Sequence, residues 1–266
     1  RGTRGAVAAG SDYAAGAGMR MLYAGGNAVD AGVASIFAAA TTEYSHVGWG
    51  GEAPILIRTK DGKVHSIAGV GTMPKLATAE FFRKRPLQVG EILEKQEPNG
   101  LKGMMPVAGL MCALVPGLPD AALVALRDFG TKSFAEAVEP ALEFADGTAI
   151  DEMRATATEN SLPFFTLWPS SMKHFAPGGH VARVGEIFHQ PDLARTLRSM
   201  VEAEKKALAS GASRTAAIDA VRDEFYRGEI AKKIGEFSKA NGGLLRYEDM
   251  AAFKLTPEDP VSTDFH

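Results

Sequence analysis

The sequence predicts a helix-rich protein of the α/β or α+β class. Three observations predict it. Apolar positions recur at helical spacing behind polar caps, two β-type runs flank a glycine turn, and the composition is that of a soluble globular chain. Of 266 residues, 45% are hydrophobic and 23% charged, enough to bury a substantial core. Residues 1–266 are read as one domain.

The first helix starts behind Ser11-Asp12, an N-cap pair, and runs to the Gly25-Gly26 stop. Ala14, Ala15, Gly16, Ala17 and Gly18 leave its surface nearly bare. Glycine inside a helix costs about 0.5–1 kcal/mol relative to alanine. Close approach of another element is the expected compensation.

A second helix starts at Ala28. Val29, Val33, Ile36, Phe37 and Ala40 form one apolar stripe. Asp30 lies in its first turn, where a carboxylate suits the helix dipole. The glycine turn Gly48-Trp49-Gly50-Gly51 leads into β-type runs over Pro54–Thr59 and Lys63–Ala68, with Lys60-Asp61-Gly62 as the hairpin signal. Residues 84–105 are polar and irregular and read as a mobile surface excursion. Helices are expected near 118–129, 133–145, 190–209, 212–224 and 229–240. Residues 161–189, with Phe164, Phe165, Trp168 and Phe175 among several prolines, read as an ordered loop with its own small core. The charge-rich run Glu202 to Lys206 reads as a solvated helix face.

The bulk numbers also exclude partners. A formal charge of −3 offers no basic field for nucleic acid or anionic lipid. No apolar run reaches the ~20 residues that span a bilayer. The opening Arg1-Gly2-Thr3-Arg4-Gly5-Ala6-Val7 does not read as a signal peptide, and the compartment, cytoplasm or periplasm, stays open. Cys112, in the apolar run Leu110–Leu114, reads as a small buried hydrophobe.

Local motifs assign no chemistry. Gly48–Gly51 precedes a strand, whereas a dinucleotide fingerprint follows one, and there is no GxxxxGK[ST]. The six histidines are scattered, with no H-E-x-x-H. His174 and His180, flanking Pro177-Gly178-Gly179, form a weak metal candidate against the commoner surface loop. No G-x-S-x-G elbow supports a serine triad. No cofactor and no metal are expected.

A set of ordered motifs goes further. Gly25-Gly26-Asn27-Ala28-Val29-Asp30-Ala31-Gly32-Val33-Ala34 resembles the gamma-glutamyltranspeptidase hallmark GGNAVDAAVA. Glu43 followed by Gly48-Trp49-Gly50-Gly51 resembles that family's turn into its hairpin. Val115-Pro116-Gly117 resembles its VPG element, and Val138 to Gly147 its next helix end. Glu224-Phe225-Tyr226-Arg227-Gly228 resembles its FY.G segment, and Asn241 to Met250 the glycine-pair continuation. These elements follow the family's order across almost the whole chain.

The resemblance implies a four-layer αββα sandwich of the N-terminal-nucleophile hydrolases, of which this chain is the helix-rich large-subunit portion. It implies a proenzyme that cleaves itself, and a small subunit from the same precursor that begins with a threonine. That hydroxyl attacks an amide carbonyl while its own α-amine, which titrates near 7.7–8.0, serves as base. No catalytic residue is therefore expected in this chain. A heterotetramer of two such pairs is an assembly open to it.

In glutamyl-specific members an arginine after the hairpin clamps the substrate's α-carboxylate. Val70 falls at its place here, within Ile67 to Pro74. Losing a bidentate guanidinium–carboxylate pair weakens both binding and geometry. The expected substrate site is thus Val70, Gly71 and Thr72, with Trp49 as an apolar wall or a packed structural residue. The first expectation is an acylase or amidase acting on a small-molecule amide without a glutamyl head. The second is γ-glutamyl transfer or hydrolysis with the carboxylate held by another residue. The third, of a different class, is a non-catalytic binding member of the fold.

Overall fold

The computed structural model describes residues 5–85, 106, 108–255 and 257–264. From residue 86 on, the excursion expected over 84–105 lies outside the described residues. The chain folds as two compact units, residues 1–51 with 122–221 and residues 52–121 with 222–266.

The first unit begins where its caps say it should. Ser11 accepts from the Ala14 N–H and opens helix α1 (Asp12–Tyr23). The same hydroxyl donates to Glu43 Oε1 at 2.7 Å, at the far end of helix α2 (Ala28–Thr42). The bare face of α1 packs as its composition requires. Ala14, Ala17, Gly18 and Met21 are buried, and Ala14, Ala17 and Met21 form one cluster with Ala31, Ala34 and Ala38 of α2. A Cβ on Gly18 would lie 2.4 Å from Ser35 Oγ and 3.0 Å from the Ala31 carbonyl oxygen, so only glycine permits this approach. Helix α2 is buried beyond its expected stripe, with Ala31, Ala34, Ala38, Thr41 and Thr42 inside as well.

Asn27 and Asp30 do more than cap a helix. The Asn27 side chain accepts from the Val29 and Asp30 N–H groups and donates to the Phe129 carbonyl at 2.7 Å. Asp30, fully buried, accepts from the Asn27, Thr131 and Lys132 N–H groups and from the Thr131 hydroxyl, all within 2.7–2.9 Å. The loop between helices α4 (Leu118–Phe129) and α5 (Phe134–Asp146) is thus fixed on the start of α2. Burial alone pushes the Asp30 carboxyl upward. The bonds from Thr131, Lys132 and Asn27 outweigh it and hold the carboxyl below its ordinary value.

Two further charged side chains finish that loop. Arg214, at the start of helix α9 (Arg214–Tyr226), donates to the carbonyls of Leu126, Arg127, Gly130 and Lys132. It satisfies acceptors that the end of α4 leaves open. Glu204 of helix α8 (Pro191–Ala209) accepts from the first N–H groups of α5, those of Phe134 and Ala135, at 2.7 and 2.8 Å. At 1% exposure Glu204 corrects the expectation of a solvated face over 202–206. Glu202 and Lys205 do face solvent and pair with each other; one residue in that run turns inward because a helix N-terminus needs an anion there.

The expected loop over 161–189 is also corrected. Helix α6 (Glu152–Phe165) runs into it and helix α7 (Pro169–Phe175) lies within it. Pro169 occupies the start of α7, where the missing N–H is not needed. Between α5 and α6, strand β3 (Thr148–Ala149) pairs antiparallel with β4 (Ile187–Phe188). The small core is present: Phe165 stacks on Phe175 at 4.5 Å, and Tyr44 reaches Phe175 and Phe188 at 5.5 and 5.3 Å. Phe164 is not part of it and faces outward.

In the second unit, strands β1 (Ile55–Arg58) and β2 (Val64–Ile67) form the expected antiparallel hairpin, in the register Ile55 with Ile67 to Arg58 with Val64. Asp61 holds its turn by accepting from the Thr59 hydroxyl and the Lys63 N–H. Strand β5 (Pro257–Glu258) pairs antiparallel with β2, giving the order β1-β2-β5. Helices α3 (Ala79–Lys84), α10 (Glu229–Ala240) and α11 (Tyr247–Ala252) complete this unit's elements, with parts of α4 and α9. Every described pairing is antiparallel, so α+β is the fitting class.

Two outcomes follow from these contacts. Gly18→Leu should destabilise the protein by about 1–3 kcal/mol in urea unfolding. Gly16→Ala, whose Cβ meets nothing within 4 Å, should instead stabilise it by about 0.5–1 kcal/mol. Equal effects at the two glycines would contradict the packing of α1. For Asp30, a folded-state value below the unfolded one means a contribution that is whole above about pH 4 and lost as pH falls further. The stability gap between wild type and Asp30→Asn should be constant near neutrality and shrink below about pH 4. A gap unchanged down to pH 3 would show that the charge contributes nothing.

Candidate functional site

The segment that follows β2 is built from backbone contacts that tolerate no side chains. The Ala53 N–H donates to the Gly69 carbonyl at 2.9 Å. Gly69 has φ +59°, and a Cβ there would lie 2.0 Å from the Ala53 carbonyl oxygen. A Cβ on Gly71 would lie 2.0 Å from the Val115 carbonyl oxygen, and one on Gly117 would lie 2.4 Å from that of Gly69. The Val115 N–H closes the arrangement by donating to the Thr72 carbonyl at 2.9 Å. Val115-Pro116-Gly117 and Gly69–Thr72 are therefore locked together, main chain against main chain.

A buried polar network holds the Val115-Pro116-Gly117 side in place. The Tyr226 hydroxyl, 1% exposed as a residue, donates to the Pro116 carbonyl at 2.6 Å and accepts from the Asp120 N–H at 3.1 Å. Burial first, and the Asp120 charge second, push the phenol far above its ordinary value, so it remains a donor at any physiological pH. The Asp120 carboxylate accepts from Arg222 Nε at 2.6 Å and from the Leu255 N–H at 3.1 Å. Further along, the Lys75 N–H donates to Asp249 Oδ1 at 3.0 Å, and Asp249 Oδ2 accepts from the Arg246 N–H. The segment is fixed at both ends.

Between those anchors it offers its side chains outward. Val70 is 46% exposed, and Thr72 and Met73 are exposed with it. The Gly71 N–H donates to Glu52 Oε1 at 3.2 Å. No arginine serves this segment from the hairpin. Arg58 closes β1 at the turn end, where its Nη2 lies 3.5 Å from the place a Gly62 Cβ would take. Arg83 is exposed on α3. The segment thus presents the Val70, Thr72 and Met73 methyl groups, the Thr72 hydroxyl and the Glu52 carboxylate, and among the described residues none of its hydrogen bonds comes from a guanidinium.

Trp49 lies in the first unit. Its indole stacks on Phe37 at 5.0 Å and its Nε1 donates to the Thr41 hydroxyl at 3.0 Å, the contacts of a packed tryptophan. Cys112 is half-buried, its thiol bonded to the Gly109 carbonyl and pushed upward by burial, a setting unlike that of a reactive cysteine. His174 and His180 part company: His174 packs edge-on against Phe175 and Phe188, whereas His180 meets Glu186 at 2.7 Å. Among the described residues no three His, Cys, Asp or Glu side chains cluster as a metal site, and no helix is long and apolar enough to cross a membrane.

Sequence reasoning missed Tyr226, Asp120 and Arg222. Asp120 reads as an ordinary acid in a helix's first turn, and the pairing of Tyr226 with Pro116 spans 110 residues. The recurrence of VPG and FY.G as separate motifs was the available signal.

A family model described as gamma-glutamyltranspeptidase matches residues 14–266. The chain belongs to the gamma-glutamyltranspeptidase family. Among curated relatives it is 29% identical over 261 residues to the acylase ACY 1 proenzyme of Pseudomonas sp. (strain SE83), covering 98% of this chain and 43% of that protein. Among solved structures it is similar to the gamma-glutamyltranspeptidase of Helicobacter pylori, with TM-score 0.79 and 26% identity over 98% of this chain and 67% of that one. It is likewise similar to the cephalosporin acylase of Bacillus halodurans, with TM-score 0.77 and 30% identity over 94% of this chain and 42% of that one. The chain therefore spans about two-fifths of the curated relative's length. The hallmark at residues 25–34 is here the Asn27–Asp30 fixture at the start of α2.

Proposed function

We propose that this chain is the large-subunit portion of an autoprocessed N-terminal-nucleophile amide hydrolase or acyltransferase, a four-layer αββα sandwich when joined to its second polypeptide. The nucleophile is a threonine at the start of that polypeptide, cut from the same precursor. Family membership across residues 14–266, with relatives named as proenzymes, supports this reading.

Val70, Gly71 and Thr72 line the acyl-binding side, and the acyl group is not glutamyl-headed. The observation that carries this is the exposed Val70, in the position where the resemblance expects an arginine, on a backbone locked by Gly69, Gly71 and Gly117. An amide substrate approaching there meets methyl groups and the Thr72 hydroxyl. The segment's role is to orient the acyl carbonyl toward the nucleophile, where positioning lowers the barrier. The similarity to a named acylase fits an uncharged or differently anchored acyl group. The similarity to a named gamma-glutamyltranspeptidase favours the second reading, γ-glutamyl chemistry with the carboxylate held elsewhere.

The processed full protein should hydrolyse γ-glutamyl-p-nitroanilide poorly, and Val70→Arg should lower KM for it. Wild-type kcat/KM of about 10⁴ M⁻¹s⁻¹ or above would return the assignment to the second reading.

A further inference from the structure

The hairpin register points past the strands themselves. Ile55 pairs with Ile67, and two steps outward the Ala53 N–H still bonds the Gly69 carbonyl. At Gly69, with φ +59°, the ladder ends, and contact resumes between the Glu52 side chain and the Gly71 N–H. Oε1 accepts from the Gly71 N–H at 3.2 Å, which holds the Glu52 carboxylate against the segment next to Val70. Its other oxygen has no hydrogen-bond or ion-pair partner among the described residues, and the residue is exposed. A carboxylate is thus held beside Val70 with half its acceptor capacity free.

We propose that Glu52 sets the acyl preference of this protein, selecting an acyl group with a cationic head, an ammonium or guanidinium, over one with an anionic head. This rests on the reading of Val70, Gly71 and Thr72 as the acyl-binding segment. A cationic head that replaces water at Oε2 gains a charge-assisted hydrogen bond, and the alkyl chain behind it lies along Val70 and Met73. An anionic head meets like charge at the same point, and substrate binding that excludes water strengthens the repulsion. The tether to Gly71 keeps the carboxylate at the segment instead of leaving it to sweep through solvent.

The test uses the processed full protein and three p-nitroanilides that differ in the acyl head: 6-aminohexanoyl, heptanoyl and adipoyl. Wild type should prefer 6-aminohexanoyl over adipoyl by about tenfold or more in kcat/KM. Glu52→Gln should bring that ratio toward one, and Glu52→Arg should reverse it. The same ratio in all three proteins overturns the proposal while leaving amide hydrolysis standing. If none of the anilides is cleaved, the amidase reading is what fails, and head selection is read by calorimetry with 6-aminohexanamide and adipic acid monoamide. Tighter binding of the cation that is lost in Glu52→Gln then supports the role of Glu52. Equal binding of the two, or no binding of either, overturns it.

Discussion

The buried Asp30 carboxylate joins two stretches of chain a hundred residues apart, and the first unit is organised around that junction. Four donors converge on it, from Asn27 at the start of α2 and from Thr131 and Lys132 in the loop after α4. Once that loop is fixed, Ser133 starts α5 in place and Glu204 finds the Phe134 and Ala135 N–H groups. Arg214 then finds its four carbonyls on the same turn. Phe134, the first residue of α5, meets Phe37 of α2 edge-on at 5.7 Å. The most conspicuous motif of the sequence is thus a folding device. Removing one of its donors or acceptors leaves buried polar groups unpaired, which costs about 1–3 kcal/mol each.

The second unit solves a different problem, the presentation of a short segment without mobility. Glycine does this by letting main chain approach main chain, at Gly69, Gly71 and Gly117. The Tyr226 hydroxyl and the Asp120 carboxylate then hold the Pro116 side from within the core. The rigidity reaches Val70 and Thr72 without either of those side chains being buried for it. That leaves Val70 and Thr72 free to differ in chemistry while the backbone stays put.

Much of this was legible in the sequence, for local reasons. Ser11, Asn27 and Ser133 announce their helices, and Lys60-Asp61-Gly62 announces its turn. The bare surface of α1 announces a close neighbour, found in α2. What stayed hidden depends on partners far along the chain. Glu204 looks like its exposed neighbours Glu202 and Lys205 until the N-terminus of α5 is known to face it. Over 161–189 the prolines suggested breaks, yet Pro169 begins a helix. At the candidate site, Val70, Gly71 and Thr72 were visible through a resemblance, whereas Glu52 was not, because its bond from the Gly71 N–H spans 19 residues.

On the proposed function, this chain is one part of an enzyme whose nucleophile resides on a second polypeptide from the same precursor. Its relatives are named as proenzymes, and it spans 43% of one of them. Intact-mass analysis with N-terminal sequencing of the purified full-length gene product tests that claim most directly. Two polypeptides are expected, the smaller beginning with threonine. A single uncleaved chain with full amide-hydrolysing activity would contradict it.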